Sequence, residues 1–272
     1  MISEGLRLAN GVIMPPIGLG VFRTERGDQT QQSITHALQA GYRHFDTARI
    51  YGNEVDVGAA LAASGMARSD YFVTTKLWNQ DHGYEEALRA FEVSRRALGV
   101  DVIDLYLLHW PVLGRRLESW RALESLYESG QVRAIGVSNF MVPHLEELQA
   151  HARIQPMVNQ IEVHPFLQQR EVRQWCENRH VMVAAYSPLA KATALSHPVV
   201  QQVAQENGIS PAQALLAWGL QQGHAVLPKS VNPQRQAENF AALSIRLSAA
   251  SLQKLDALES GMVTGWDPRS VL

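Results

Sequence analysis

Eight short runs rich in β-branched and aromatic residues recur along the chain at intervals of about 25 to 35 residues. Helical patterns such as EEALRAFEVSRRALG and PAQALLAWGLQQG lie between them. The runs are nearly continuously apolar, which is typical of parallel strands that are buried on both faces. We therefore predict an α/β fold in which eight parallel strands alternate with helices and close into a (β/α)8 TIM barrel. The runs are PIGLGVF, YRHFDTA, YFVTTKL, VIDLYLLHW, VRAIGVSN, MVNQIEV, MVAAYSPL and AVLPKS.

An open, doubly wound sheet is the alternative arrangement of these elements. Such a sheet often carries a GxGxxG phosphate loop after its first strand, whereas the segment GLGVFR has only the first two glycines. At the N-terminus, LRLANGVIMPP alternates around Asn10-Gly11 and predicts a β-hairpin with a type I′ turn. We place this hairpin over the bottom of the barrel. The 272 residues contain no linker or low-complexity tract, so we predict one domain over residues 1–272.

The composition restricts the classes of partner. The formal net charge is -2, so there is no basic excess to hold nucleic acid or a membrane surface, and we expect a small-molecule partner. No signal peptide or long apolar stretch is present in the sequence, which favours a cytoplasmic protein. The single Cys176 excludes an internal disulfide, and the histidines form no HxxxH or Cys/His ligand set. We therefore expect no metal site.

Four polar residues lie at or just after the ends of neighbouring predicted strands. Asp46 ends YRHFD, Tyr51 follows on the next loop, Lys76 ends FVTTK and His109 ends DLYLLH. Catalytic groups of such barrels lie on this edge, so these side chains can converge. Taken singly, each has a structural explanation: Asp46 could cap a helix, Lys76 could be a solvated cation and His109 a hydrogen-bonded core residue.

Together, the four residues indicate proton transfer. An ion pair between Asp46 and Lys76 would keep the lysine charged, and its ammonium would lower the pKa of Tyr51 from about 10. A phenol of that kind can protonate a developing alkoxide. An N–H of His109 directed at the same oxygen would orient a carbonyl and stabilise its growing negative charge.

The sequence around these residues resembles the aldo-keto reductases. The matching segments, in the order of the family, are GYRHFDTARIYGNEVDVGAAL, TTKLWN, LLHWP, VRAIGVSNF, NQIEVHPFLQQ, YSPLA and LPKSVNPQRQAEN. They cover nearly the whole chain. The resemblance implies a catalytic tetrad in which Tyr51 is the general acid, Lys76 and Asp46 tune it, and His109 orients the carbonyl. It also implies NADPH as cofactor, bound without a Rossmann fold.

The resemblance further assigns residues to the cofactor. It places Ser138, Asn139 and Gln160 at the carboxamide and Tyr186 against the nicotinamide ring. It places the 2′-phosphate near a predicted helix start at Asn232-Pro233, where backbone N–H groups attract anions. A solvated basic turn is the alternative for that segment. The further cofactor contacts that the resemblance implies are Ser187, Leu189, Lys229, Ser230, Val231 and Arg235, with Glu238 and Asn239 near the adenine.

Three aromatic residues resemble the apolar substrate wall of the family: Phe22, Trp78 and Trp110. Any of them could instead pack in the core. The segments after Tyr186 and at the C-terminus are short, as in the compact microbial type similar to 2,5-diketo-D-gluconate reductases. The resemblance implies a monomer that reduces small or sugar-derived aldehydes and ketones, such as methylglyoxal or the diketogluconate.

Two other functions are alternatives to reduction. A barrel lyase could use Lys76 as a Schiff-base amine, but a neighbouring Asp46 would keep that amine protonated. The chain could also be an NADP(H)-sensing partner with little turnover, as related channel-associated subunits suggest. The presence of all four tetrad residues argues against this function.

Overall fold

The computed structural model describes residues 5–271, and eight strands of this part of the chain form one parallel sheet. Neighbours in the sheet follow the order of the sequence from its first strand to its last. The sheet closes between its edges, where Gly18 N donates to Val226 O at 2.9 Å and Val226 N donates to Pro16 O at 2.9 Å. The predicted (β/α)8 barrel is therefore confirmed. The strands, counting the N-terminal hairpin, are β1 (Leu6–Arg7), β2 (Ile13–Met14), β3 (Leu19–Gly20), β4 (His44–Asp46), β5 (Phe72–Leu77), β6 (Ile103–Leu108), β7 (Val132–Ser138), β8 (Val158–Glu162), β9 (Met182–Tyr186) and β10 (Ala225–Leu227).

Helices cover the outside of the barrel. In α3 the buried residues recur with the helical period, because Ala87, Ala90, Phe91, Ser94 and Leu98 lie on one face. Within residues 5–271, no helix is both long and apolar enough to cross a bilayer. The helices are α1 (Asp28–Ala40), α2 (Glu54–Ala63), α3 (Tyr84–Leu98), α4 (Arg116–Glu128), α5 (Val142–His151), α6 (Arg170–Glu177), α7 (Pro198–Asn207), α8 (Pro211–Gln221), α9 (Pro233–Ala241) and α10 (Ala249–Asp256).

The hairpin of β1 and β2 lies at the N-terminal end of the barrel. Met14 is fully buried, and the Asn10 side chain donates to Arg133 O at 2.8 Å, next to the first residue of β7. Because barrel strands begin at the bottom, this contact confirms the predicted place of the hairpin.

The predicted type I′ turn of the hairpin is wrong. Of its two central residues only Gly11 has a positive φ, 87°. Gly11 N donates to Leu8 O at 2.9 Å and Leu8 N donates to Val12 O at 2.8 Å. This is the three-residue loop in which a left-handed glycine follows a type I turn, a geometry that the dipeptide alone does not distinguish.

The segment between β10 and α9 is held by side chains. Asn232 caps α9 by accepting a hydrogen bond from Arg235 N at 2.9 Å, which confirms the predicted helix start. Gln236, which is fully buried, donates to Ser230 O at 2.8 Å and to Ser33 O at 3.1 Å. The basic segment after β10 is thereby fixed against α1.

Candidate active site

A cleft of about 600 Å³ opens at the carboxyl ends of the strands. Twelve of the residues singled out in the sequence contribute to its walls, although they are spread over more than two hundred positions of the chain. These residues are Phe22, Asp46, Tyr51, His109, Trp110, Ser138, Asn139, Gln160, Tyr186, Ser187, Leu189 and Lys229.

The other singled-out residues lie outside the lining of the cleft. Lys76 is fully buried beneath the cleft floor, and the half-buried Trp78 packs against His109 with 5.3 Å between ring centres. The remaining five continue from the basic end of the cleft into α9. They are Ser230, Val231, Arg235, Glu238 and Asn239.

A buried ion pair lies at the floor of the cleft. Lys76 Nζ contacts Asp46 Oδ1 at 2.6 Å and donates to Thr47 O at 2.8 Å. Gln160 Nε2 donates to the other oxygen, Asp46 Oδ2, at 2.7 Å. Burial lowers the pKa of Lys76, and the Asp46 carboxylate opposes this effect. Because both carboxylate oxygens and the ammonium have close partners, the pair has the hydrogen bonds that a buried charge requires.

Tyr51 lies above this pair, on a single 3₁₀ turn after β4. Its ring centre is 5.1 Å from Lys76 Nζ and 5.8 Å from the His109 ring, which it meets at 74°. Burial raises the pKa of the Tyr51 phenol well above its usual 10, and the Asp46 carboxylate adds to the rise. The expected lowering of this pKa is wrong for this structure, because desolvation of the phenol and the neighbouring carboxylate raise it.

His109 follows β6 and is 8% exposed. Burial lowers the pKa of its imidazole well below 6.5, and the Lys76 ammonium adds to the effect. The ring is therefore neutral near pH 7 and can donate one N–H. Within residues 5–271 the buried Nδ1 has no hydrogen-bond partner, whereas the backbone oxygen of His109 accepts from Asn139 Nδ2 at 3.0 Å.

The carboxyl ends of β7, β8 and β9 are joined by side-chain hydrogen bonds. Asn139 Nδ2 donates to Ser138 Oγ at 3.2 Å, and the Tyr186 hydroxyl donates to Asn139 Oδ1 at 2.8 Å. Ser138 Oγ donates to Gln160 O at 2.8 Å. Asn139 has a φ of 63°, in the left-handed region that asparagine tolerates. The three residues that were predicted to contact the carboxamide of the cofactor thus belong to one hydrogen-bonded network beside the cleft.

The far end of the cleft is basic. Lys229 lines it, and burial lowers the pKa of this lysine. No ion pair among residues 5–271 involves Lys229 or Arg235. This end of the cleft can accept an anionic group of a cofactor.

Sequence reasoning missed the C-terminal part of the cleft wall. Thr264, Gly265 and Trp266 line the cleft, and the Trp266 ring lies 6.0 Å from that of Trp110. Lys191 lines it as well and donates to Thr264 O. An isolated tryptophan in a polar terminal segment was the one available signal for this contact.

Paired acid and base groups at the carboxyl end of a closed parallel barrel are typical of a barrel enzyme. A sequence model of the Aldo/keto reductase family matches residues 16–260. Glyoxal reductase of Bacillus subtilis (strain 168) is 45% identical over 271 residues, which cover 100% of this chain and 98% of the relative. Methylglyoxal reductase DkgA of Yersinia pestis is 41% identical over 268 residues, which cover 97% of this chain and 95% of the relative.

A similar solved structure points to the same family. The crystal structure of a Gox0644 variant in complex with NADPH has a TM-score of 0.92 and 41% identity, and the alignment covers 97% of each chain. The chain belongs to the aldo/keto reductase family, as its motifs predicted.

Proposed function

We propose that this protein reduces small aldehydes and ketones with NADPH and that Tyr51 supplies the proton. The observation that carries the proposal is the placement of the Tyr51 phenol in the cleft between the neutral His109 ring and the buried Asp46–Lys76 pair. A phenol with a raised pKa stays protonated across the neutral range. It can still protonate an alkoxide, which is a much stronger base than a phenolate.

Each group has a separate part in this reaction. An N–H of His109 donates to the carbonyl oxygen and orients it toward Tyr51. After proton transfer, the Lys76 ammonium stabilises the tyrosinate, since it lies 5.1 Å from the ring centre. Asp46 holds the Lys76 ammonium through the contact at 2.6 Å. Gln160 in turn holds the Asp46 carboxylate through the hydrogen bond at 2.7 Å.

The cleft suits NADPH, whose chemistry when bound is to supply the hydride that the carbonyl carbon requires. The carboxamide would meet the network of Ser138, Asn139 and Gln160, and Tyr186 would present its ring to the nicotinamide. The basic end would hold the 2′-phosphate, since neither Lys229 nor Arg235 takes part in an ion pair within residues 5–271. Gox0644, the NADPH-bound relative, supports this choice of cofactor.

We propose small dicarbonyl or sugar-derived compounds as substrates. The cleft is about 600 Å³, and it must hold the nicotinamide as well as the substrate. Phe22 and Trp110 supply apolar walls beside Tyr51, and Phe22 lies 4.9 Å from the Tyr51 ring. The names of the Bacillus and Yersinia relatives, glyoxal reductase and methylglyoxal reductase, favour the same class. By the family resemblance we also propose a cytoplasmic monomer of one domain.

The test is NADPH oxidation at 340 nm with glyoxal, methylglyoxal and simple ketones, comparing wild type with Tyr51→Phe. We expect turnover by the wild type and a loss of at least about 100-fold in kcat for the variant, since general acid catalysis contributes about 10²–10⁴-fold. Tyr84→Phe is the matched control, because the Tyr84 hydroxyl is exposed and bonds only to Ser125 within the described chain.

NADPH binding, measured by its fluorescence, completes the test. Binding that survives in Tyr51→Phe while turnover is lost would support the assigned proton donor. Equal turnover in wild type and Tyr51→Phe would contradict it. NADPH binding without turnover in the wild type would favour an NADP(H)-sensing protein.

A further inference from the structure

Glu162 is a buried carboxylate at the end of β8 that the reduction chemistry leaves without a part. It is 2% exposed, and two residues before it on the same strand lies Gln160, which holds Asp46. Alternate residues of a strand face the same side, so both side chains point toward the upper part of the barrel. The carboxylate must therefore have partners there, since an unpaired buried charge is costly.

The partners of Glu162 come almost entirely from the C-terminal tail, which we define as residues 258–271. Glu162 Oε1 accepts from Thr264 N at 3.0 Å and from the Thr264 hydroxyl, and Oε2 accepts from Gly265 N at 3.2 Å. His164 Nε2 lies 3.2 Å from the same carboxylate. Three donors of the tail thus converge on one side chain.

These donors belong to the part of the tail that lines the cleft. Thr264, Gly265 and Trp266 all border the cleft, and the 70% exposed Trp266 ring reaches across to Trp110. Lys191 also donates to Thr264 O at the cleft, and further polar contacts hold the tail outside the cleft lining: Met262 N donates to Phe166 O at 3.0 Å. Near its end, the backbone oxygen of Val271 lies 2.7 Å from a ring nitrogen of His144.

We propose that Glu162 is a positioning residue, which fixes the tail as a wall of the cleft and so sets the size of substrate that the site accepts. The substrate part of this inference rests on the proposed reductase function. The geometric part, attachment of residues 264–266 to β8, does not require turnover.

The contact also explains why the tail needs a carboxylate at this position. Two backbone N–H groups and one hydroxyl all donate to Glu162, so an acceptor-only side chain matches them. Replacement by glutamine would turn an N–H₂ group toward one of these donors. Lys191 donates to Thr264 O, but an ammonium has no acceptor and cannot bond the donors that Glu162 accepts.

The experiment compares Glu162→Gln with Glu259→Gln in the full-length protein. Glu259 is an exposed carboxylate near the start of the tail, and it also accepts from two backbone N–H groups, that of Gln168 in the segment between β8 and α6 and that of Gly261. The two variants therefore make the same chemical change, one at the cleft and one away from it. The first readout is amide hydrogen exchange of residues 262–267, and the second is steady-state reduction of methylglyoxal and phenylglyoxal.

In Glu162→Gln we expect exchange at Thr264 and Gly265 to quicken by at least about 10-fold in sum, because one of the two acceptor oxygens becomes an N–H₂ donor and the remaining amide oxygen accepts less strongly than a carboxylate. We expect KM for phenylglyoxal to change by about 5-fold or more, with kcat and KM for methylglyoxal within about 2-fold of wild type. In Glu259→Gln both readouts at the cleft should match wild type. Thr264→Ser, which keeps the hydroxyl donor, should retain more protection than Thr264→Val.

Unchanged exchange at residues 264–266 in Glu162→Gln would overturn the proposal. Equal loosening in Glu259→Gln would overturn it too, because the tail would then be held as a whole rather than by Glu162. An equal change in KM for the two dicarbonyls would remove the part that concerns substrate size. If the wild type reduced neither dicarbonyl, the reductase proposal would fail, while the exchange data would still decide whether Glu162 anchors the tail.

Discussion

The ion pair of Lys76 and Asp46 takes part in the proposed reaction and also contributes to the stability of the fold. Lys76 is fully buried and Asp46 is 4% exposed, so each charge depends on the other. Replacing Lys76 by methionine would leave the Asp46 carboxylate buried with Gln160 as its remaining side-chain donor. We expect Lys76→Met to lower the free energy of unfolding by about 3–5 kcal/mol, measured by urea denaturation at pH 7.5.

A double variant separates the lost pairing from lost packing. Lys76→Met combined with Asp46→Asn removes both charges and leaves an amide that can still bond to Gln160. We expect the double variant to be more stable than Lys76→Met alone. The single variant Asp46→Asn completes the cycle. If the effects of Lys76→Met and Asp46→Asn simply added in the double variant, the charges would not be coupled and the explanation would be wrong.

At the scale of residues, the sequence predicted positions better than it predicted environments. Asp46, Tyr51 and His109 could be placed in one cleft because they lie at or just after the ends of β4 and β6, which only β5 separates. The direction of the Tyr51 pKa could not be predicted, since it depends on how deeply the phenol is packed. Nor could the part of Glu162, because its partner Thr264 lies 102 positions away in a segment without regular pattern.

At the scale of elements, the start of α9 is where sequence signals and structure agree most closely. The Asn232 cap and Pro233 fix the first turn, and Gln236 ties the preceding loop to α1. The cations on both sides of this start are thus held near the cleft, although most of the segment lies outside its lining. The hairpin turn was predicted less well, because its type depends on pairing rather than on the dipeptide Asn10-Gly11.

The basic segment at α9 should set the preference for NADPH over NADH. We expect the double variant Lys229→Gln, Arg235→Gln to bind NADPH about 10- to 100-fold more weakly, with binding of NADH nearly unchanged. The range allows for solvent screening, since both side chains are exposed. Fluorescence titration with each nucleotide gives the two dissociation constants.

The control for charge is the double variant Arg121→Gln, Arg246→Gln. Both arginines are exposed, they lie on α4 and after α9, and neither lines the cleft. If the control lost as much NADPH affinity as the α9 variant, a general field rather than a phosphate contact would explain the preference. An unchanged ratio of NADPH to NADH affinity in the α9 variant would remove the assignment.

At the scale of the whole molecule, the barrel was predictable because eight apolar runs alternate with helical patterns. Closure itself was an inference from the count of strands, and the structure supplies it through hydrogen bonds of Gly18 and Val226. The path of the tail across the cleft was not predictable, since residues 258–265 contain no strand or helix. The limits of the predicted domain, residues 1–4 and 272, lie outside the described residues.

Three buried histidines should make the stability of the protein sensitive to acid. Burial lowers the pKa of His44 from 6.5 to about 4, that of His82 to about 4 and that of His224 to about 3. The unfolded chain therefore binds more protons than the folded one below about pH 6.5. The contribution of these neutral histidines to the free energy of unfolding is fully present above that pH. It is lost as the pH falls toward 4, by on the order of 2–3 kcal/mol for each histidine.

Urea unfolding between pH 7.5 and 4.5 measures this loss, and His82→Asn tests its origin. Asparagine can keep the bond that His82 Nδ1 makes with Ser119 Oγ at 3.0 Å, but it does not titrate. The dependence of stability on pH should therefore be shallower in His82→Asn than in wild type. His180→Asn, the same change at an exposed histidine, should leave the slope as it is. Parallel slopes for wild type and His82→Asn would show that the buried imidazole is not a source of the acid sensitivity.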